Sequence, residues 1–204
     1  MKFVKALIVS SAVLTSMAAN ASVVSSLGAG APGSFLQLSS AGLAGGSVAT
    51  LSGGTVEHAD QPFADIPFGS VFENNFLASG PTDGTPATLT FTGSGVGYIS
   101  FLWGSPDTYN RLTVNGTGGY SHTFTTSELG LPGDGNQGFS SYVQFNGTDG
   151  TQITSLVFSN SPSSDAFESA NFSVTAPVPE PETYALMLAG LSVVGFMARR
   201  RRSV

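Results

Sequence analysis

Residues 96–116 read VGYISFLWGSPDTYNRLTVNG. Ile99, Phe101 and Trp103 recur with period two. Successive side chains of a strand point to opposite faces, so these three share one face. Leu112 and Val114 share a face of a second strand, and Asn115-Gly116 ends it with a turn signal. Between the two, Gly104-Ser105-Pro106-Asp107 breaks the pattern and reads as a loop. The same rhythm continues on both sides. ATLTFTG (87–93) precedes the stretch and GYSHTFT (119–125) follows it. SYVQF (141–145) and TQITSLVFS (151–159) flank NGTDG (146–150), the pattern of a hairpin. ANFSVT (170–175) closes the series, with Ala170, Phe172 and Val174 placed on one side. Strands return every ten or so residues, helix-length periodic stretches are lacking, and 26 Gly and 11 Pro punctuate the rest. This pattern predicts an all-β domain, an antiparallel β-sandwich of jelly-roll type. A domain of about 150 residues is large enough for one two-sheet core.

The expected organisation places a signal peptide at 1–21. Lys2 and Lys5 supply its positive start, Ala6 to Ala18 its apolar stretch, and Ala19-Asn20-Ala21 the small-x-small site for signal peptidase. Residues 22–54 read as an extended Gly/Ser-rich segment with one or two short strands, and 55–176 as the sandwich. GAGAPG (28–33) matches a dinucleotide fingerprint only in letters: the expected signal peptide precedes it, no helix is expected after it and Pro32 interrupts it.

Charge separates the domain from its ends. Of seven Lys and Arg, only Arg111 lies between Lys5 and Arg199, whereas all 13 Asp and Glu lie in that interval. Binding to a phosphate backbone needs clustered cations, so nucleic acid is excluded as a partner. Neutral polysaccharide, cations or other proteins fit better. With no cysteine, neither disulfides, thiol catalysis nor a Cys-zinc site is available.

The C-terminal segment reads PVPEPETYALMLAGLSVVGFMARRRRSV (177–204). Three prolines in 177–183 make an extended, accessible linker. Tyr184 to Ala198 carries no charge; as a helix it is about 22 Å long, against a hydrocarbon core of about 30 Å. Snorkelling by Arg199, Arg200, Arg201 and Arg202 makes a single transmembrane helix feasible in the precursor, with 199–204 as a basic cytoplasmic tail. Pro179-Glu180-Pro181, the apolar stretch and the arginine block, in this order, resemble the PEP-CTERM sorting signal of Gram-negative bacteria. The resemblance implies processing by exosortase, a membrane cysteine-type transpeptidase-like protease, and association with exopolysaccharide and biofilm loci. It implies an inner-membrane-anchored precursor delivered to the cell surface or extracellular matrix. Within the domain, SFLWGSPDTYNRL (100–112) resembles a W-G-S-x-D-x-Y-N segment of some PEP-CTERM surface proteins. DAFESANFSV (165–174) resembles the closing F-E-x-D-N strand of related sandwich domains. There Ala170 stands where Asp is common, which removes a carboxylate from any metal site.

Candidate chemistry is sparse. Trp103, Asp107, Tyr109 and Asn110 form a candidate ligand loop: carboxylate and amide to sugar hydroxyls, with an aromatic stacking face. The same residues also suit a turn capped by Asp107, with Tyr109 and Trp103 packed beneath. Asp134 and Asn136 in DGNQG and Asp149 in NGTDG are weak candidate calcium ligands, since the twelve-residue calcium loop with its terminal Glu is absent. His58 and His122 stand alone. There is no G-x-S-x-G motif and nothing singles out a pair of carboxylates for glycoside hydrolysis. The expectation is therefore a non-enzymatic, exported surface or matrix protein with no cofactor. A carbohydrate-binding module and a secreted glycan-active enzyme are the alternatives.

Overall fold

A computed structural model describes residues 21–28, 34–80, 86–160 and 165–175, together with 187 and 189–193. In chain order the strands among them are β1 (Ser22–Leu27), β2 (Leu38–Ser39), β3 (Gly42–Leu43), β4 (Ala49–Ser52), β5 (Thr55–Glu57), β6 (Phe76–Ser79) and β7 (Ala87–Phe91). Next come β8 (Tyr98–Gly104), β9 (Asn110–Gly116), β10 (Ser121–Thr125), β11 (Ser140–Thr148), β12 (Ile153–Asn160) and β13 (Phe167–Thr175). They form two sheets, ordered β1-β11-β8-β13-β6-β5 and β10-β9-β12-β7-β4-β3-β2. Neighbouring strands are antiparallel throughout, as in β8 against β11 and β9 against β12.

Aromatic rings fill the space between the sheets. Phe101 is their hub: the ring centroids of Trp103, Phe145, Phe158 and Phe172 lie 6.3, 6.3, 5.4 and 5.5 Å from its own. Ile99, Phe101 and Trp103 are fully buried in this core, as the alternation of β8 requires, and so are Leu112 and Val114 of β9.

The structure departs from the sequence reading in three places. The segment 22–54 is woven into both sheets rather than lying beside them. It supplies β1 to one and β2, β3 and β4 to the other, because Leu38, Leu43 and Ala49 reach the core. Second, the other face of β8 is also dry: Ser100 is fully buried and Leu102 is 3% exposed. Residues 58–75 lie across that outer face. There Ala64, Phe76, Ala78, Ala166 and Ala170 form a smaller apolar cluster, with Phe63 and Ile66 packed on it.

Third, Ala170 does not share a face with Phe172 and Val174. β13 carries a bulge between Ala170 and Ser173. Asn171 adopts φ 52, and the extra residue reverses the alternation. Ala170 therefore joins the outer cluster while Phe172 joins the main core. The buried Asn171 amide then fastens the covering loop: Nδ2 donates to Gly69 O (2.9 Å) and Oδ1 accepts from Val71 N–H (2.8 Å).

Among the described residues no helix is long and apolar enough to cross a membrane. Residues 187, 189, 190 and 191–193 are helical. Most of the expected span 184–198 lies outside the described residues, as do the signal peptide, the Pro179-Glu180-Pro181 triplet and Arg199 to Arg202.

Candidate functional site

The loop after β8 is built from the backbone outward. Trp103 is fully buried and stacks on Phe167, with centroids 4.1 Å apart. Its Nε1–H donates to Asn110 Oδ1 at 3.4 Å, and the same oxygen accepts from Asp107 N–H at 2.8 Å. Asn110 is itself fully buried. Both residues are thus spent on holding the loop, and neither offers a face to solvent. Tyr109 Oη–H donates to Asp107 Oδ2 at 2.6 Å. Arg111 Nη1 donates to Thr108 O (2.6 Å) and Asn110 O (2.9 Å), so the domain's cation closes a turn instead of meeting a carboxylate.

Two of the weak calcium candidates arrive beside this loop. Asp107 and Asp134 form an isolated antiparallel bridge. Gly135 follows at φ 62, a left-handed conformation that favours glycine, and a Cβ there would press on the Asp107 carboxylate. The side chains of Asp134 and Asn136 are used as turn caps: they accept from Asn136 N–H (3.3 Å) and Gly138 N–H (3.0 Å). Asp149 sits apart, at the β11–β12 turn with φ 54, at the Tyr98 end of the sheet. Among the described residues no three acidic or histidine side chains are grouped so as to hold a metal ion. Millimolar calcium is accordingly expected to raise the melting temperature no more than sodium chloride of equal ionic strength, apart from a small excess from loose binding. Differential scanning calorimetry checks this, and a strong shift at micromolar calcium contradicts it.

What the fold does assemble is an acidic cavity of about 80 Å³, walled by Asp65, Asp107, Asp165 and Glu168 together with Ser105 and Gln137. Glu168 is 2% exposed and accepts from Ser105 Oγ–H at 2.9 Å. Burial pushes its carboxyl well above the usual range, and the nearby Asp65 adds to the shift. Asp65 is raised as well, first by burial and then by Asp60 and Asp165. Sequence reading passed over Asp65, Asp165 and Glu168. Asp165 and Glu168 lie together at the start of β13, and only the covering loop brings Asp65 over them.

The consequence for stability has a definite sign. A carboxyl whose folded pKa is raised holds its proton longer in the folded state than in the unfolded one. Its stabilising contribution is complete below about pH 4.5 and is lost as pH rises through the folded value. Glu168→Gln is therefore expected to melt above the parent protein at pH 8, with the gap closing by pH 4. Thermal melts across that range test it; a variant that is less stable at every pH contradicts it.

His122 Nε2 lies 2.6 Å from Glu128 Oε1 in a surface pair, both side chains being more than 40% exposed. His58 meets Asn75. Neither histidine joins the acidic cavity.

β13 ends at Thr175, opposite Tyr98. Beyond it, residues 177–202 match the family model of the PEP-CTERM protein-sorting motif. No curated protein and no solved structure matches the chain. The chain thus carries a PEP-CTERM sorting signal, the kind processed by exosortase, and this signal implies export to the cell surface through a membrane-anchored precursor.

Proposed function

We propose that this chain is a non-enzymatic surface and matrix protein, released from its membrane anchor near Pro179-Glu180-Pro181 and retained in exopolysaccharide. The observation that carries the reading is the position of the sorting motif: it starts at residue 177, two residues after the last strand ends. The sandwich is thus tethered through β13. That strand lies antiparallel to β8, with Thr175 against Tyr98 and Glu168 against Gly104. Six residue steps of about 3.3 Å put roughly 20 Å between the two ends of β8. The acidic end, with Asp65, Asp107, Asp134, Asp165 and Glu168, therefore lies at the opposite end of β13 from Thr175, after which the sorting motif begins.

A strongly acidic domain repels other copies of itself and anionic surfaces, which suits a soluble spacer. The signal peptide expected at 1–21 starts this route and signal peptidase ends its first step. Cell fractionation of an exosortase-bearing host tests the proposal. The processed chain is expected in the extracellular polysaccharide fraction, with no release of reducing ends from that polymer. Retention in the inner membrane overturns the sorting part. Polysaccharide turnover lost on substituting one carboxylate overturns the non-enzymatic part.

A further inference from the structure

The outer face of the β1-β11-β8-β13 sheet is covered by residues 58–75 only at the Gly104 end. Towards Thr175 it opens into a groove of about 500 Å³, lined by Ser26, Tyr98, Gln144, Asn146, Thr148 and Thr175. That volume lies in the range of small-ligand sites. Val24 is the one aliphatic side chain in the lining.

The lining has three properties that select a ligand class. First, no residue in it carries a charge at neutral pH, although the chain has a net charge of −6 and several carboxylates crowd the opposite end. An anion gains nothing there, and a cation finds stronger attraction at the other pole. Second, the ring of Tyr98 is fixed. Its Oη–H donates to Gln144 Oε1 at 3.0 Å, so a half-buried aromatic is held in one orientation. Third, hydrogen-bonding groups around it are spare. Asn146 is exposed and its amide has no partner among the described residues. Gln144 and Asn146 both offer amide donors, two residues apart on β11 and hence on the same face. One row further along this face, Ser100 and Ser173 are fully buried and lie outside the lining, so the groove's hydroxyls are those of Ser26, Thr148 and Thr175.

An aromatic plate flanked by amides and hydroxyls, with ions excluded, matches one chemistry: an uncharged, hydroxyl-rich chain with alternating apolar and polar edges. We infer that the Tyr98–Asn146 groove is a binding site for neutral polysaccharide. This deepens the reading of a matrix-retained protein and rests on it, while moving the contact from the Asp107 loop to the opposite end of the domain.

The test uses the full chain in a detergent without sugar headgroups. Affinity electrophoresis and calorimetry are run against dextran, galactomannan and a mixed-linkage β-glucan, with alginate as the anionic polymer. At least one neutral polymer is expected to bind and alginate is not. Tyr98→Ala is expected to weaken binding by about tenfold or more, and Asn146→Ala by several fold. Asn146→Ala removes a side chain that holds nothing in the fold, so its melting temperature stays at the parent value and its loss of binding reads contact alone. Tyr109→Ala, at the acidic end, is expected to bind normally. The inference is overturned if no neutral polymer binds, if alginate is preferred, or if Tyr98→Ala and Asn146→Ala both bind like the parent. Processing does not enter this assay. Failure to bind refutes the groove and leaves the sorting account standing, whereas failure of release in an exosortase-bearing host refutes the sorting account and leaves the groove standing.

Discussion

Glu180→Ala is expected to leave export intact and to trap the chain as an inner-membrane precursor. Glu180 stands between Pro179 and Pro181, within the matched motif. Each proline fixes its own φ, lacks an N–H donor and disfavours helix in the residue before it. The triplet thus combines two residues unsuited to a helix interior with one ionisable side chain between them. A protease that reads an extended segment at the membrane surface has that carboxylate as its distinctive handle. Removing it changes neither the signal at 1–21 nor the apolar stretch, so translocation and anchoring persist while release fails. Glu182→Ala is the matched control, since it removes an equal charge just outside the triplet and is expected to be processed normally. Immunoblots of membrane and surface fractions separate the outcomes. Normal release of the Glu180→Ala protein contradicts the account, and so does equal trapping of both variants.

Phe101→Ala is expected to destabilise the sandwich by about 3–5 kcal/mol. In a domain of this size that lowers the melting temperature by roughly 10 °C. The residue is fully buried and its ring contacts four others, two from β8 and β11 and two from β12 and β13. Truncation leaves a cavity that rings from both sheets line, and stiff aromatic neighbours cannot collapse into it. Phe68→Ala provides the comparison: its ring is 71% exposed, and the expected change is within about 0.5 kcal/mol. Urea or thermal unfolding of both variants checks the contrast. Similar stabilities for the two would place the core elsewhere.

Much of the sandwich was legible because β strands repeat every second residue. Ile99, Phe101 and Trp103 announce their face directly, and Leu112 and Val114 do the same for β9. The covered outer face was harder. Leu102 went unread beside the Ile99, Phe101 and Trp103 face, and Ala170 was placed on the core side with Phe172 and Val174. The bulge left a trace in the spacing of Phe167 and Phe172, five residues apart where one face demands an even number. A single extra residue at Asn171 reconciles them, but nothing local says which residue is extra.

The functional loop divided in the same way. Asp107 and Tyr109 do meet, while Trp103 and Asn110 serve the core. The acidic cavity was invisible because only tertiary packing brings Asp65 and Asp107 up to Asp165 and Glu168. The groove at Tyr98 was missed because its residues alternate with core residues on four strands. The tail was the most readable part, for a physical reason: a sorting enzyme reads it as linear chain, so order and spacing are the signal.

Release from the anchor is the central claim, and intact-mass spectrometry of surface material from an exosortase-bearing host tests it most directly. The account predicts a mature chain that starts at Ser22 and lacks every residue after the linker, including Arg199 to Arg202. Recovery of surface protein whose mass still includes the four arginines would contradict it.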